Sequence, residues 1–204
     1  MKIYIIQHCQ SEHHVNDLTG GWTDTPLTQL GKKQAHAVAK ELKTLGLKDF
    51  LLYSSDLKRA YMTAEVISNE FSTEIIPLEM LREINNGEAA NKTKKWANKN
   101  KLYSGNRLEI DKQDWPGSER PRDLYHRMSA FIQKYIVNAK KDLVIVSHGV
   151  AISYLISSWL GIAPEMLPDT YLKGNAGGIS CISMNQLGQK TLTLFNNTSF
   201  LRVL

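Results

Sequence analysis

Two cysteines in 204 residues cannot staple a fold, and no C-x-x-C pair exists, so Cys9 and Cys181 are expected to be reduced thiols rather than a disulfide framework. Cys9 with His13 and His14 has no recognisable zinc spacing, and no metal or other cofactor is expected. A cysteine-dependent phosphatase needs C-x5-R, but Val15 and Leu187 occupy the arginine positions. Gly31-Lys32-Lys33 lacks the upstream glycine and the following hydroxyl of a Walker loop. Long apolar runs are missing as well. Ile3–Ile6 is much shorter than the apolar stretch of a signal peptide, and no segment approaches the roughly 20 residues that span a bilayer. A soluble cytoplasmic protein with no membrane partner is therefore expected.

Strong charge bias is also lacking. There are 25 basic and 20 acidic residues, a formal net charge of +5. The basic run Lys92-Thr93-Lys94-Lys95, extended by Lys99 and Lys101, reads as a solvated helix face, so no nucleic-acid partner is expected. A modest positive field favours a small anionic substrate. With no repeat, low-complexity tract or linker, one domain over residues 1–204 is the expectation, and the oligomeric state is left open.

Strand and helix signals alternate along the chain. Ile3–Ile6 reads as a first strand. Thr28 caps a helix with Leu30, Val38, Leu42 and Leu45 near one face and Gly46 as its stop. Phe50–Tyr53 reads as the second strand. Asp56 is expected to cap a helix to about Phe71 with Ala60, Ala64 and Ile67 inside, before a weak strand at Glu74–Ile76. Residues 81–87 read as a loop, residues 92–101 as a polar helix and Trp115-Pro116-Gly117-Ser118 as a turn. Pro121 opens a helix with Leu124, Met128, Phe131, Ile132, Tyr135 and Ile136 at helical spacing. Leu143–Val146 is the continuous apolar run of a strand covered on both faces, and Val150–Leu160 a helix ended by Gly161. Two late strands flank a turn at 185–188. The pattern predicts a three-layer α/β/α sandwich with a mostly parallel sheet.

Two strands end in histidine. Lys2–Ile6 runs into Gln7-His8-Cys9-Gln10-Ser11, and Asp142–Val146 into Ser147-His148-Gly149. Such strand ends are where open α/β sheets bind ligands. Between them lie Gly21-Trp22-Thr23-Asp24-Thr25-Pro26-Leu27-Thr28, Ser54-Ser55-Asp56-Leu57-Lys58-Arg59-Ala60 and Leu81 to Glu88.

In this order and spacing the motifs resemble the histidine phosphatase superfamily, in the branch of cofactor-dependent phosphoglycerate mutases and broad-specificity phosphatases. The resemblance implies a phosphoglycerate mutase-like fold and hydrolysis of a small phosphorylated metabolite through a phosphohistidine. By it, His8 is the nucleophile, Arg59 grips phosphoryl oxygens, His148 steadies their charge, and Glu83, in preference to nearby Glu88, is the acid and then the base. Gln7, His14 and backbone N–H groups near Gly20 and Gly21 line the substrate site, which takes a phosphorylated substrate or inorganic phosphate. Trp22, Asp24 and Pro26 shape the loop.

Three positions depart from the family pattern: Gln7 replaces arginine, Cys9 replaces glycine, and His14 stands where many members have asparagine. Exchanging a charged for a neutral hydrogen bond costs on the order of tenfold in rate. An attenuated or respecialised phosphatase is expected. A non-catalytic phospho-ligand binder and a phosphoglycerate mutase are the alternatives. The compact stretch before His148 and Ser118-Glu119-Arg120 favour the phosphatase over the mutase.

Overall fold

Each inner strand turns alternate residues to opposite sides, so a continuous apolar run fills two cores at once. In β1 (Lys2–Gln7), Ile3 and Ile5 enter one core while Tyr4 and Ile6 enter the other. Strand β4 (Asp142–Ser147) divides in the same way, Leu143 and Ile145 against Val144 and Val146. The computed structural model describes every residue except Ser104, Asn106, Val203 and Leu204.

Six strands form one mixed sheet in the order β3-β2-β4-β1-β5-β6. Strands β2 (Phe50–Ser54), β3 (Ile75–Pro77), β4 and β1 are parallel, and β5 (Ile179–Met184) and β6 (Lys190–Asn197) add an antiparallel hairpin. Helices α2 (Gln29–Thr44) and α3 (Lys58–Phe71) cover one face; α5 (Pro121–Phe131), continued by a wider turn over Ile132–Ile136, and α6 (Gly149–Leu160) cover the other. The architecture is the three-layer α/β sandwich that the alternating signals predict. Short helices α1 (Glu12–Val15) and α4 (Lys94–Lys99) lie in the connections. Among the described residues no helix is long and apolar enough to cross a membrane.

Local signals fixed most boundaries. Thr28 caps α2 by accepting the Gly31 N–H, and Gly161 ends α6 at φ +80°. Two expectations fail. Leu30 is exposed, and the inner face of α2 is instead Gly31, Ala35, Val38, Ala39 and Leu42. Gly31 is there because a Cβ would meet the Gln10 carbonyl oxygen at 1.9 Å. Asp56 does not cap α3. Its carboxylate takes a bidentate pair from Arg82, while Asp24 accepts the Lys58 N–H at the helix start. A paired guanidinium offers a carboxylate more than one helix N–H does.

Candidate active site

Parallel register brings the two strand-end histidines together. Gln7 pairs with Ser147, and the His8 N–H donates to the Ser147 carbonyl at 2.9 Å. The buried rings of His8 and His148 lie 5.1 Å apart between centroids. Strand β2 ends alongside them: the Ser55 N–H donates to the Val146 carbonyl, and the first turn of α3 then delivers Arg59.

Hydrogen-bond partners assign the ring protons of His8 and His14. His8 Nδ1 is 2.8 Å from the Cys9 carbonyl oxygen, which only accepts, so Nδ1 holds the proton and Nε2 keeps its lone pair. Arg59 Nε donates to that lone pair at 3.2 Å. Ser55 Oγ accepts the Leu57 N–H at 3.3 Å and lies 2.8 Å from His148 Nε2, a hydrogen bond that fixes how the ring is turned. His148 Nδ1 is buried and has no partner among the described residues. His14 Nδ1 accepts the Ser11 N–H at 3.2 Å, taking the place that a glutamate usually fills in a capping box, so its proton sits on Nε2. The His14 ring is stacked on His8, 5.4 Å between centroids.

Every imidazole in the cluster is biased towards its neutral form. Burial, followed by the Arg59 charge, holds His8 and His148 well below the ordinary histidine value and lowers His14. His13 falls to about 3 through burial, the adjoining His14 and Arg59. Burial lowers Arg59 itself to about 10, against the pull of Glu83 and Asp24.

The loop after α1 seats the guanidinium. Arg59 Nη1 donates to the Thr23 carbonyl at 2.6 Å and Nη2 to the Gly21 carbonyl at 2.7 Å. With Nε on His8, three of its five N–H groups are engaged and one remains on each terminal nitrogen. The loop therefore contributes two carbonyls to Arg59. Gly21 has φ +56°, and a Cβ there would fall 2.3 Å from Asn86, so only glycine fits. Gly20 lies beside His13, and a cavity of about 340 Å³ opens between Gly20, Gly21, Ile84, Asn86 and Lys94. A larger hollow of about 770 Å³ near Leu102, Lys112 and Arg120 contains none of the histidines.

Glu83 reaches the start of α6. Its Oε1 accepts N–H groups from Ile84 and Ala151, both at 2.9 Å, and its Oε2 accepts Val150 N–H at 3.0 Å. The carboxylate thus accepts three backbone N–H groups, those of Val150 and Ala151 in the first turn of α6 and that of Ile84. Glu88 is exposed, so Glu83 is the carboxylate at this edge. Gln7 lies between α6 and the 171–178 segment. Its Oε1 is buried without a partner, 2.6 Å from where a Cβ on Gly174 would stand, and its amide nitrogen faces Gly149.

Three further residues act on this constellation and were not singled out by their sequence context. Ser55 orients His148. Asn86 binds Trp22 N–H through Oδ1 and the Gly20 carbonyl through Nδ2. Arg127 donates to the carbonyls of Met80, Arg82 and Glu83 and pairs with Glu119. A basic residue on the apolar stripe Leu124–Met128–Phe131 was the available signal for Arg127.

The ring nitrogens of His8, His13 and His14 lie within 4.8 Å of one another, near enough to raise a transition metal. As placed, the His8 and His14 lone pairs already receive N–H groups, which a metal would have to displace. Cys9 offers no thiolate: burial pushes its pKa to about 12.

A three-layer α/β sheet carrying two neutral histidines and a guanidinium at the ends of its central strands defines a phosphatase-type fold. The chain belongs to the histidine phosphatase superfamily, branch 1, whose model matches residues 3–198. A relative named "Putative phosphoserine phosphatase 2", from Hydrogenobacter thermophilus, is 29% identical over 96% of this chain and 95% of its own. "Probable phosphoglycerate mutase GpmB" of Proteus mirabilis is 30% identical over 79% of this chain and 76% of its own. Among solved structures, a phosphoserine phosphatase from Entamoeba histolytica in complex with 3-phosphoglyceric acid superposes with a TM-score of 0.78 at 28% identity, covering 98% of both chains. Mycobacterial glucosyl-3-phosphoglycerate phosphatase shares the fold, with a TM-score of 0.83 at 22% identity over 97% of this chain and 99% of its own.

Proposed function

We propose that this protein hydrolyses small phosphomonoesters through a phosphohistidine formed on His8. The observation that carries the reading is the meeting of two buried histidines at neighbouring strand ends beside Arg59, with a lone pair on His8 Nε2 and an unpartnered Nδ1 on His148. In the first half-reaction Nε2 attacks phosphorus in line with the ester oxygen, the P–O bond breaks, and the alcohol leaves with a proton. His148, the free N–H groups of Arg59, the His14 Nε2–H and the Gln7 amide bind the phosphoryl oxygens. In the second half-reaction Glu83 takes a proton from water, which attacks phosphorus and frees His8. Phosphoserine is the first substrate to examine, because relatives at 28% and 29% identity bear that name.

The test is acid-labile phosphoenzyme trapping, with turnover of a panel of phosphorylated metabolites in the presence of chelator. Wild type should form the adduct and release phosphate, and His8→Ala should do neither. Tight phosphate binding without turnover on any substrate would identify a binder instead. A requirement for a bisphosphoglycerate primer would identify a mutase, the activity in the Proteus relative's name.

A further inference from the structure

We infer that Asn196 is a positioning residue of the active site: from the edge strand β6 it pins the turn at 174–178 that closes on the Gln7 amide. This rests on the phosphatase reading above, in which Gln7 binds the phosphoryl group, and deepens it by naming what holds that amide.

Gln7 is the last residue of β1, and the sheet supports it unequally on its two sides. Towards β4 it pairs with Ser147. On the other side β5 begins only at Ile179, opposite Ile6, and the turn before that strand takes over. The Gln7 N–H donates to the Gly178 carbonyl at 3.1 Å, and the Gly177 N–H reaches the Gln7 carbonyl at 3.0 Å. These bonds fasten the far end of the turn to the β1 backbone. The near end meets the side chain. A Cβ on Gly174 would stand 2.6 Å from Gln7 Oε1, so only glycine lets the backbone close on the amide oxygen. The amide nitrogen then lies on the side of Gly149, next to His148 in the chain.

The near end needs a tie. The turn reads Gly-Asn-Ala-Gly-Gly, with little apolar surface to bury and three residues of the type that loses most freedom on ordering. Asn196 supplies that tie. Its Oδ1 accepts the Asn175 N–H at 2.9 Å, one residue from Gly174. A Cβ on Gly178 would collide with the same oxygen, so glycine there gives the Asn196 side chain room to enter the turn. Asn196 reaches it from a left-handed backbone, φ +48°, which asparagine adopts more readily than most residues. The Asn196 N–H is itself anchored on Ser180 Oγ at 3.0 Å. The residue thus acts on Gln7 through the backbone of the turn.

Calorimetric titration of the full chain with inorganic phosphate, with steady-state kinetics on one phosphomonoester, tests this. Asn196→Gly keeps the left-handed backbone without strain and removes the acceptor. Phosphate binding and kcat/KM should each fall by about tenfold. Asn196→Asp keeps an acceptor in the same place and should bind phosphate more tightly than Asn196→Gly. Gln7→Ala should lose a similar factor, and adding Asn196→Gly to it should cost less than about twofold more, because the group being positioned is gone. A residue that merely stabilised the fold would multiply its loss with that of Gln7→Ala. Such multiplying losses, wild-type phosphate affinity in Asn196→Gly or in Gln7→Ala, or an Asn196→Asp chain no better than Asn196→Gly would each overturn the inference and leave the phosphatase reading standing. A wild-type chain that binds no phosphate would sink that reading, and the inference with it.

Discussion

Ser55 Oγ lies 2.8 Å from Nε2 of His148, on the side of the ring away from its unpartnered Nδ1. A hydroxyl on a neighbouring strand end thus holds the ring of a buried histidine. Ser55→Ala removes that partner. The expected result is a fall in kcat/KM of about tenfold with a stability loss of about 1 kcal/mol, read by steady-state kinetics and chemical denaturation. Unchanged kcat/KM would mean that His148 needs no orienting partner.

Arg127 gathers three carbonyls of the segment that carries Glu83. Lysine keeps the charge but cannot reproduce the planar fork. Arg127→Lys should lower kcat by about tenfold and leave KM nearly unchanged, because the carboxylate shifts while the anion contacts stay. Equal losses in kcat/KM and in KM would mark it as a general packing residue.

Acid should destabilise the fold through its buried histidines. His8, His13 and His148 are held neutral, with His13 at about 3. Their folded values lie below the unfolded value near 6.5, so the unfolded chain binds more protons as pH falls. Their contribution to stability is complete above about pH 6.5 and declines towards about pH 3, by at most ~1.4 kcal/mol per pH unit for each ring. Urea midpoints at about pH 7 and about pH 5 should show the drop. His13→Asn should reduce the slope, and a slope it leaves untouched would contradict the assignment.

Gly31→Ala has two opposed effects. In an open helix alanine gains about 1 kcal/mol over glycine. Here the new Cβ would stand 1.9 Å from the Gln10 carbonyl oxygen, one residue before the Ser11 that positions His13 and His14. The clash should win, with a net loss of about 1–3 kcal/mol and weaker anion binding, measured by thermal melts and phosphate titration. A stabilised variant would show that the 10–14 segment yields freely.

Much of the fold was legible because its signals are local. Thr28 caps α2 through its own turn, Gly161 stops α6 in a left-handed conformation, and the continuous apolar run at 143–146 marks a strand buried on both faces. Leu30 misled because helical spacing does not say where a neighbouring backbone comes too close for any side chain but glycine's. Asp56 misled because its partner, Arg82, lies 26 residues away. The same limit hid Ser55, Asn86 and Arg127: each acts across the fold on another residue's backbone or ring.

The order of apolar runs, caps and histidine-ended strands belongs to the sequence, since each is a property of residues a few places apart. Family membership was legible on the same basis. Charge state, tautomer and the direction of each donor were not, because they depend on which carbonyl, hydroxyl or N–H arrives from another part of the chain. Only the register that sets Gln7 against Ser147 turns two distant histidines into neighbours.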